Sequence, residues 1–353
     1  RVLRDVMGGR YPWVAGMGAA GILKIDTDLD LAHGSYRVRG TLDLENSSLA
    51  DPAHELSVRN IEVKLPFSLT TGSDGTAAPG PSERHPTKPG TLTGEGIDFR
   101  GIGIPKVHAR VLLAENGFTL QDPMRIEFSG GSVNIEALRL DGLGSAHKKG
   151  KAVLEIANLD LAPLARAAIG KAIEGRLNGR FDRLALDDGT WGAAGNLGLQ
   201  IQGGELRIVG IELEAPPSGA PSARCRVRAE GIPLDALSRE FVQQPLKGTL
   251  DGELSSVRLA KGRLHTKGSL TFSAFDGKIV LSELQAGDLH GPNPFVQLDV
   301  DIKEIGLAAL TSPLAFGQVS GVLEGRIGDL RIRPGFPYAT VFDARLETVK
   351  RRG

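Results

Sequence analysis

The chain has 353 residues, enough for two or three ordinary domains or for one extended array. Basic and acidic residues number 42 each, and this zero net charge argues against a non-specific nucleic-acid binder, whose phosphate contacts need a basic surplus. A lone cysteine, Cys225, excludes an intramolecular disulfide framework and a cysteine-cluster metal site, and no stretch is apolar for long enough to span a bilayer. The chain opens at Arg1 without a signal peptide and reads as a fragment.

At the N-terminus, Gly16-Met-Gly18-Ala-Ala-Gly21 spells a dinucleotide fingerprint, which requires a strand before it and a helix after it. The next ten residues, Ile22 to Leu31, alternate like a strand, so the sequence predicts a glycine-rich turn and no cofactor. Asp26, Asp28 and Asp30 have calcium-loop spacing, but Leu31 stands where such a loop needs glycine. They read as the solvated face of a strand. The Pro-, Gly- and Ser-rich stretch 71–89 reads as an exposed insertion loop between strands.

Further along, three segments repeat at a spacing of 73 residues. Leu159 to Leu164, Ile232 to Leu237 and Ile305 to Leu310 correspond, followed by Gly175-Arg-Leu-Asn-Gly179, Gly248-Thr-Leu-Asp-Gly252 and Gly321-Val-Leu-Glu-Gly325. A weaker echo, Gly90-Thr-Leu-Thr-Gly94, lies 85 residues before Gly175 and requires 12 residues to be absorbed. A fixed long period implies a quasi-one-dimensional array of supersecondary units. The expected divisions are a degenerate N-terminal region 1–121 and repeats 122–194, 195–267 and 268–353.

Each repeat reads as several strands and one short helix. The helical candidates are Leu161–Ala172, Leu234–Gln244 and Leu307–Phe316. Gly130-Gly131, Gly203-Gly204 and Asp276-Gly277 sit between alternating runs and read as hairpin turns. The predicted fold is mainly β: an elongated, open, curved and twisted antiparallel sheet with short helices between repeats. Five or six strands per unit would advance the array by roughly 25 Å.

The strand after each helix separates apolar from charged residues by parity. Ile173, Gly175, Leu177, Gly179 and Phe181 share one face, as do Leu246, Gly248, Leu250, Gly252 and Leu254, and Val319, Gly321, Leu323, Gly325 and Ile327. Leu197, Leu199 and Ile201, and Leu298, Val300 and Ile302, alternate in the same way. Leu177, Leu250 and Leu323 should occupy equivalent places in successive units. The alternating glycines allow two readings, close packing of neighbouring backbones or a smooth trough for an apolar ligand. With few helices and few aromatic fillers to cover such a face, an open sheet holding acyl chains is favoured; the alternative is a structural or adhesive array whose apolar faces pack on each other without lipid.

The run Phe316 to Arg326, with Leu330-Arg-Ile332 and Phe342-Asp-Ala-Arg-Leu346, resembles the end of the repeat region in YdbH-like proteins, which belong with AsmA, TamB and other repeating β-groove proteins of the Gram-negative envelope. The resemblance covers 123–348. It implies a periplasmic rod anchored in the inner membrane, with a groove that binds phospholipid acyl chains and conducts them toward the outer membrane. It further implies membrane attachment through segments outside this chain and an outer-membrane or periplasmic protein partner.

No other chemistry is indicated. His108, His265 and His290 have no partner at ligand spacing, so no metal is expected. Cys225 falls on the apolar parity of its strand and reads as a small hydrophobe. No nucleophile, base and orienting group can be assembled from the spacing, and the chain does not read as an enzyme.

Overall fold

In the computed structural model the described residues are 18–32, 35–71, 88–114, 117–142, 147–238, 246–288, 293–311, 319–333 and 341–349. They form 19 strands, every described pairing antiparallel, with three short α-helices, and the sheet is open. The insertion expected at 71–89 falls mostly on residues 72–87, outside the described residues. The chain divides into two compact units, Arg1–Ile169 with Arg180–Gly189, and Gly170–Gly179 with Thr190–Gly353.

In the first unit, β1 (Gly18–Ala32), β2 (Ser35–Asp51), β3 (Leu56–Thr71), β4 (Gly90–Phe99) and β5 (Ile102–Ala114) pair in chain order. Next come β6 (Gly117–Leu120) and β7 (Met124–Phe128), which lie end to end against β8 (Gly131–Asp141), and then β9 (Lys149–Asp160). β6 and β7 are one strand interrupted at Pro123, which has no N–H to give to a ladder. The division expected at 121/122 falls in this interruption. Helix α1 (Leu161–Ile169) comes after β9, with the Ala162 N–H donating to the Asp160 carboxylate at 3.1 Å as an N-cap. The helix stops short of Ala172 because Gly170 turns left-handed at φ 70°. β10 (Arg176–Asp187) is divided, its residues 176–179 falling in the second unit and 180–187 in the first. The buried centre of the first unit is Ala109, Val111 and Leu120, with Leu65, Phe118, Met124, Ile135 and Leu138 packed against it.

The second unit continues with β11 (Thr190–Ile201), β12 (Gly204–Ala215), β13 (Ser222–Pro233), helix α2 (Leu234–Ser238), β14 (Thr249–Ala260), β15 (Arg263–Ala274), β16 (Gly277–Gly287), β17 (Phe295–Gly306), helix α3 (Leu307–Thr311), β18 (Val322–Ile332) and β19 (Val341–Val349). From β11 to β19 each strand pairs with the next. Beyond the five helical residues of α2 and of α3, the rest of each expected helix falls on 239–245 and 312–318, outside the described residues.

The 73-residue period is written into the backbone. Leu234 N–H donates to the Gly248 carbonyl at 2.9 Å, and Leu307 N–H to that of Gly321 at 3.0 Å. Leu246 N–H donates to Ser238 Oγ at 2.9 Å, and Val319 N–H to Thr311 Oγ1 at 3.0 Å. Asn158, Gly231 and Glu304 all take left-handed φ values, 55°, 57° and 53°. The period holds four strands, not five or six, so each unit adds about 19 Å across the ladder. The strands run to 12 residues because they are joined by two-residue turns with both φ values positive, at Asp188-Gly189, Gln202-Gly203, Lys261-Gly262 and Phe275-Asp276.

These turns lie one residue before the sites expected at Gly203-Gly204 and Asp276-Gly277, and the same holds at Ser129-Gly130. Gly277 instead begins β16, where a Cβ would strike the Glu304 carbonyl. The echo at Gly90 is also corrected. β5, not β4, lies one period before β10, and no residues need absorbing. The glycine pattern misled because Gly90 answers to its neighbour β3: a Cβ there would strike the Lys64 carbonyl and come within 2.8 Å of Leu65 Cδ2. The expected turn at Gly18–Gly21 is the start of β1, with Gly21 in the register shift between Ala20 and Ile22. Register shifts recur in most ladders, among them Val209/Glu212, Ala229/Ile232, Ser282/Gln285 and Gly328/Arg331, and such bulges bend strands and sharpen their twist.

Candidate functional site: an uncovered apolar face

Residues directly opposite in an antiparallel ladder point to the same face, so the registers trace rows across the sheet. In the second unit one row runs Leu199, Leu206, Ala229, Gly252, Leu270, Leu281, Val300, Ile327 and Ala344, across β11 to β19 without a polar residue. Beside it run Ile232, Leu250, Phe272, Ile279, Ile302, Gly325 and Leu346. A third row is Leu197, Ile208, Val227, Leu254 and Gly268. The first unit has the same construction, with a row Leu23, Leu44, Val63, Leu92 and Ala109.

Most members of these rows are half-buried, covered from the side by their sheet neighbours. Within each unit the substantial contacts of each strand are with strands of its own ladder, and no second sheet lies over the apolar face among the described residues. Among the described residues, neither unit folds a second sheet of its own onto this face.

The opposite face is polar. The row Arg207, Arg228, Glu253, Ser269, Ser282 and Asp299 runs between the apolar rows on the other side of the same strands. Its charges are paired locally: Arg207 with Glu205, Arg224 with Glu212, Arg228 with Glu230 and Arg326 with Asp299. The Asp329 N–H and then the Arg326 guanidinium hold the Asp299 carboxyl below the usual carboxylate range. In the first unit Arg180 bridges Glu136 at 2.6 Å and Asp182 at 2.7 Å. Exposed pairs of this kind add little stability, but they leave this face hydrated and electrically balanced.

The residues expected to line a groove divide into two groups. Leu177, Gly179 and Phe181 share the half-buried side of β10, against exposed Arg176, Asn178, Arg180 and Asp182. Leu197, Leu199, Ile201, Leu250, Gly252, Leu254, Leu298, Val300, Ile302, Leu323, Gly325 and Ile327 belong to the apolar face, with Ile201, Leu254, Leu298 and Val300 buried in it. By contrast, Ile173, Gly175, Leu246, Gly248, Val319 and Gly321 precede their strands and stand outside the paired rows. Leu246 and Val319 are exposed, and the carbonyls of Gly248 and Gly321 accept the first N–H of α2 and α3.

Close packing against the neighbouring strand accounts for Gly179, Gly252 and Gly325. Gly252 has φ 141°, and a Cβ there would strike the Ser269 carbonyl oxygen and sit 2.9 Å from Leu270 Cα. Leu206, Ile208, Val227, Leu270, Phe272, Ile279, Leu281 and Leu346 were missed, although the alternation Leu270-Thr-Phe272 and Ile279-Val-Leu281 carries the signal.

Cys225 is half-buried opposite Val257, and burial pushes its thiol pKa up, away from reactivity at neutral pH. Among the described residues no group of three or more His, Cys, Asp or Glu gathers as a metal site, and no helix is long and apolar enough to cross a membrane. His290 lies outside the described residues. No protein-family model, no curated protein and no solved structure matches this chain.

Proposed function

We propose that the apolar face is a lipid-binding surface, and that the chain is a periplasmic module which holds phospholipid acyl chains on the sheet and lets them move along it between the inner and outer membranes. One observation carries the reading: an unbroken apolar row crosses nine strands, from Leu199 to Ala344, and stays half-open because no second layer covers it among the described residues. Burial of acyl chains on such a surface contributes about 0.8 kcal/mol per CH₂. A row without a polar step presents similar sites from strand to strand, so a chain slides with little change in free energy. The envelope setting, the membrane attachment and a protein partner rest on the resemblance of the C-terminal repeat to the β-groove proteins.

Lipid extraction tests the reading. Protein purified without detergent, extracted with organic solvent and examined by mass spectrometry is expected to carry two-chain phospholipid. Folded protein that repeatedly yields none would contradict it.

A further inference from the structure

The charge balance of the polar face fails over one part of the second unit. Arg226 on β13, Arg258 on β14, and Arg263 and Lys267 on β15 are exposed and share that face. Among the described residues none of the four has an ion pair or a side-chain hydrogen bond. The ladders bring them together. Arg258 lies between Arg224, opposite it on β13, and His265 on β15, and Arg224 is engaged by Glu212. Arg226 faces the irregular stretch of β14 between Leu254 and Val257, and Lys267 stands opposite Ser256 on the other side of that stretch. The cluster spans about 10 Å across three strands and about 13 Å along β15 from Arg263 to Lys267.

The repeat does not require this charge. One period earlier the same strand positions hold Val153, Ala185, Thr190 and Ala194. One period later only Arg258 has a basic counterpart, Arg331, and that guanidinium lies over the Phe295 ring at 4.2 Å. The cluster is therefore an addition to the construction of the sheet. Its like charges repel one another, and an anionic partner relieves that repulsion.

We infer that the cluster is a docking site for a short acidic segment of a partner protein, about four extended residues with carboxylates at alternate positions. Three of the four cations are arginines, whose planar forks take carboxylates in bidentate pairs. Glu212 and Glu214 on β12, Glu253 on β14 and Glu283 on β16 border the cluster, and all four are exposed. A flat anionic membrane would be pressed against these carboxylates, whereas a segment one strand wide passes between them. The chain itself is a poor source of the segment. No stretch outside the described residues has two carboxylates within five positions. Asp28 and Asp30 on β1 already share Arg39, which is opposite Asp28 in register and 3.5 Å from Asp30. The site is on the reverse of the sheet from the apolar face and does not depend on lipid binding there.

The test uses the whole chain and two fluorescent peptides of equal length, one alternating Asp and Ser, the other alternating Lys and Ser. The acidic peptide is expected to bind about tenfold tighter at low salt, and the preference to fade at high salt. A carbodiimide, which joins a carboxylate to an amine in contact with it, should link the acidic peptide to Lys267. The triple change Arg226→Glu, Arg258→Glu, Lys267→Glu should invert the preference with an unchanged thermal melt. The same charge change at Lys106, Arg125 and Arg139, exposed in the first unit, should leave the preference in place. Should the first variant not fold, Arg258→Gln is expected to weaken the preference about twofold. Equal binding of the two peptides, crosslinks confined to lysines of the first unit, or an equal loss in both triple variants would overturn the inference. So would a dimer of the chain that the first triple change dissociates, or capture by phosphatidylglycerol vesicles with no binding of the acidic peptide.

Discussion

Gly252→Val is expected to cost about 3 kcal/mol of stability, read as a fall in the denaturant midpoint at unchanged slope. Two effects add. The residue has φ 141°, a conformation that side-chain-bearing residues avoid, and the added Cβ would collide with the Ser269 carbonyl oxygen and crowd Leu270 Cα, both of them backbone atoms of β15. Neither can retreat without opening the ladder between β14 and β15 at its centre, where Gly252 faces Leu270. Gly325, one period on, would strike the Arg345 carbonyl in the same way, so Gly325→Val should behave alike. A neutral Gly252→Val would mean that the glycines serve the width of the trough and not the approach of the strands.

Leu250→Glu separates an open face from a packed one. Leu250 is half-buried between Ile232 and Phe272 in its row. On an open face the new carboxylate reaches water, and the loss is that of a partly buried leucine with poorer strand preference, about 1–2 kcal/mol. The protein should stay folded while bound lipid falls, because acyl chains would have to pass a charge. Glu253→Leu, on the exposed opposite face of the same strand, should leave both the melt and the bound lipid nearly unchanged. A Leu250→Glu protein that binds lipid normally would contradict the functional reading. One that unfolds would show that the residue is sealed in a core, where an unpaired charge costs several kcal/mol.

The period of this fold was legible because it is carried by residues with backbone duties. Glycine recurs at 248 and 321, and at 252 and 325, where a side chain would collide or strain, and leucines alternate between them. The strand count was not legible. Two-residue turns such as Gln202-Gly203 and Phe275-Asp276 use few distinctive letters, so 12-residue strands read as shorter ones with longer links. The bulges were hidden for a related reason: left-handed positions fall on Glu283 and Glu304, a residue type with no preference for that conformation. The face was legible wherever alternation was clean, as in Leu298 to Ile302. It was misassigned at Leu246 and Val319, where parity was extended past the end of the strand.

The apolar face is tested most directly by its parity. A photo-reactive amino acid placed in turn at Ile279, Val280, Leu281 and Ser282 samples both faces of β16 within four residues. Ile279 and Leu281 stand in the apolar rows, while Val280 lies between Thr271 and Asp301 and Ser282 between Ser269 and Asp299. Val280 makes the test strict, because it is as apolar as its neighbours and differs from them in the face it occupies. The account predicts phospholipid crosslinks at 279 and 281 and none at 280 or 282. Labelling at all four positions alike, or at 280 and 282 alone, would contradict it.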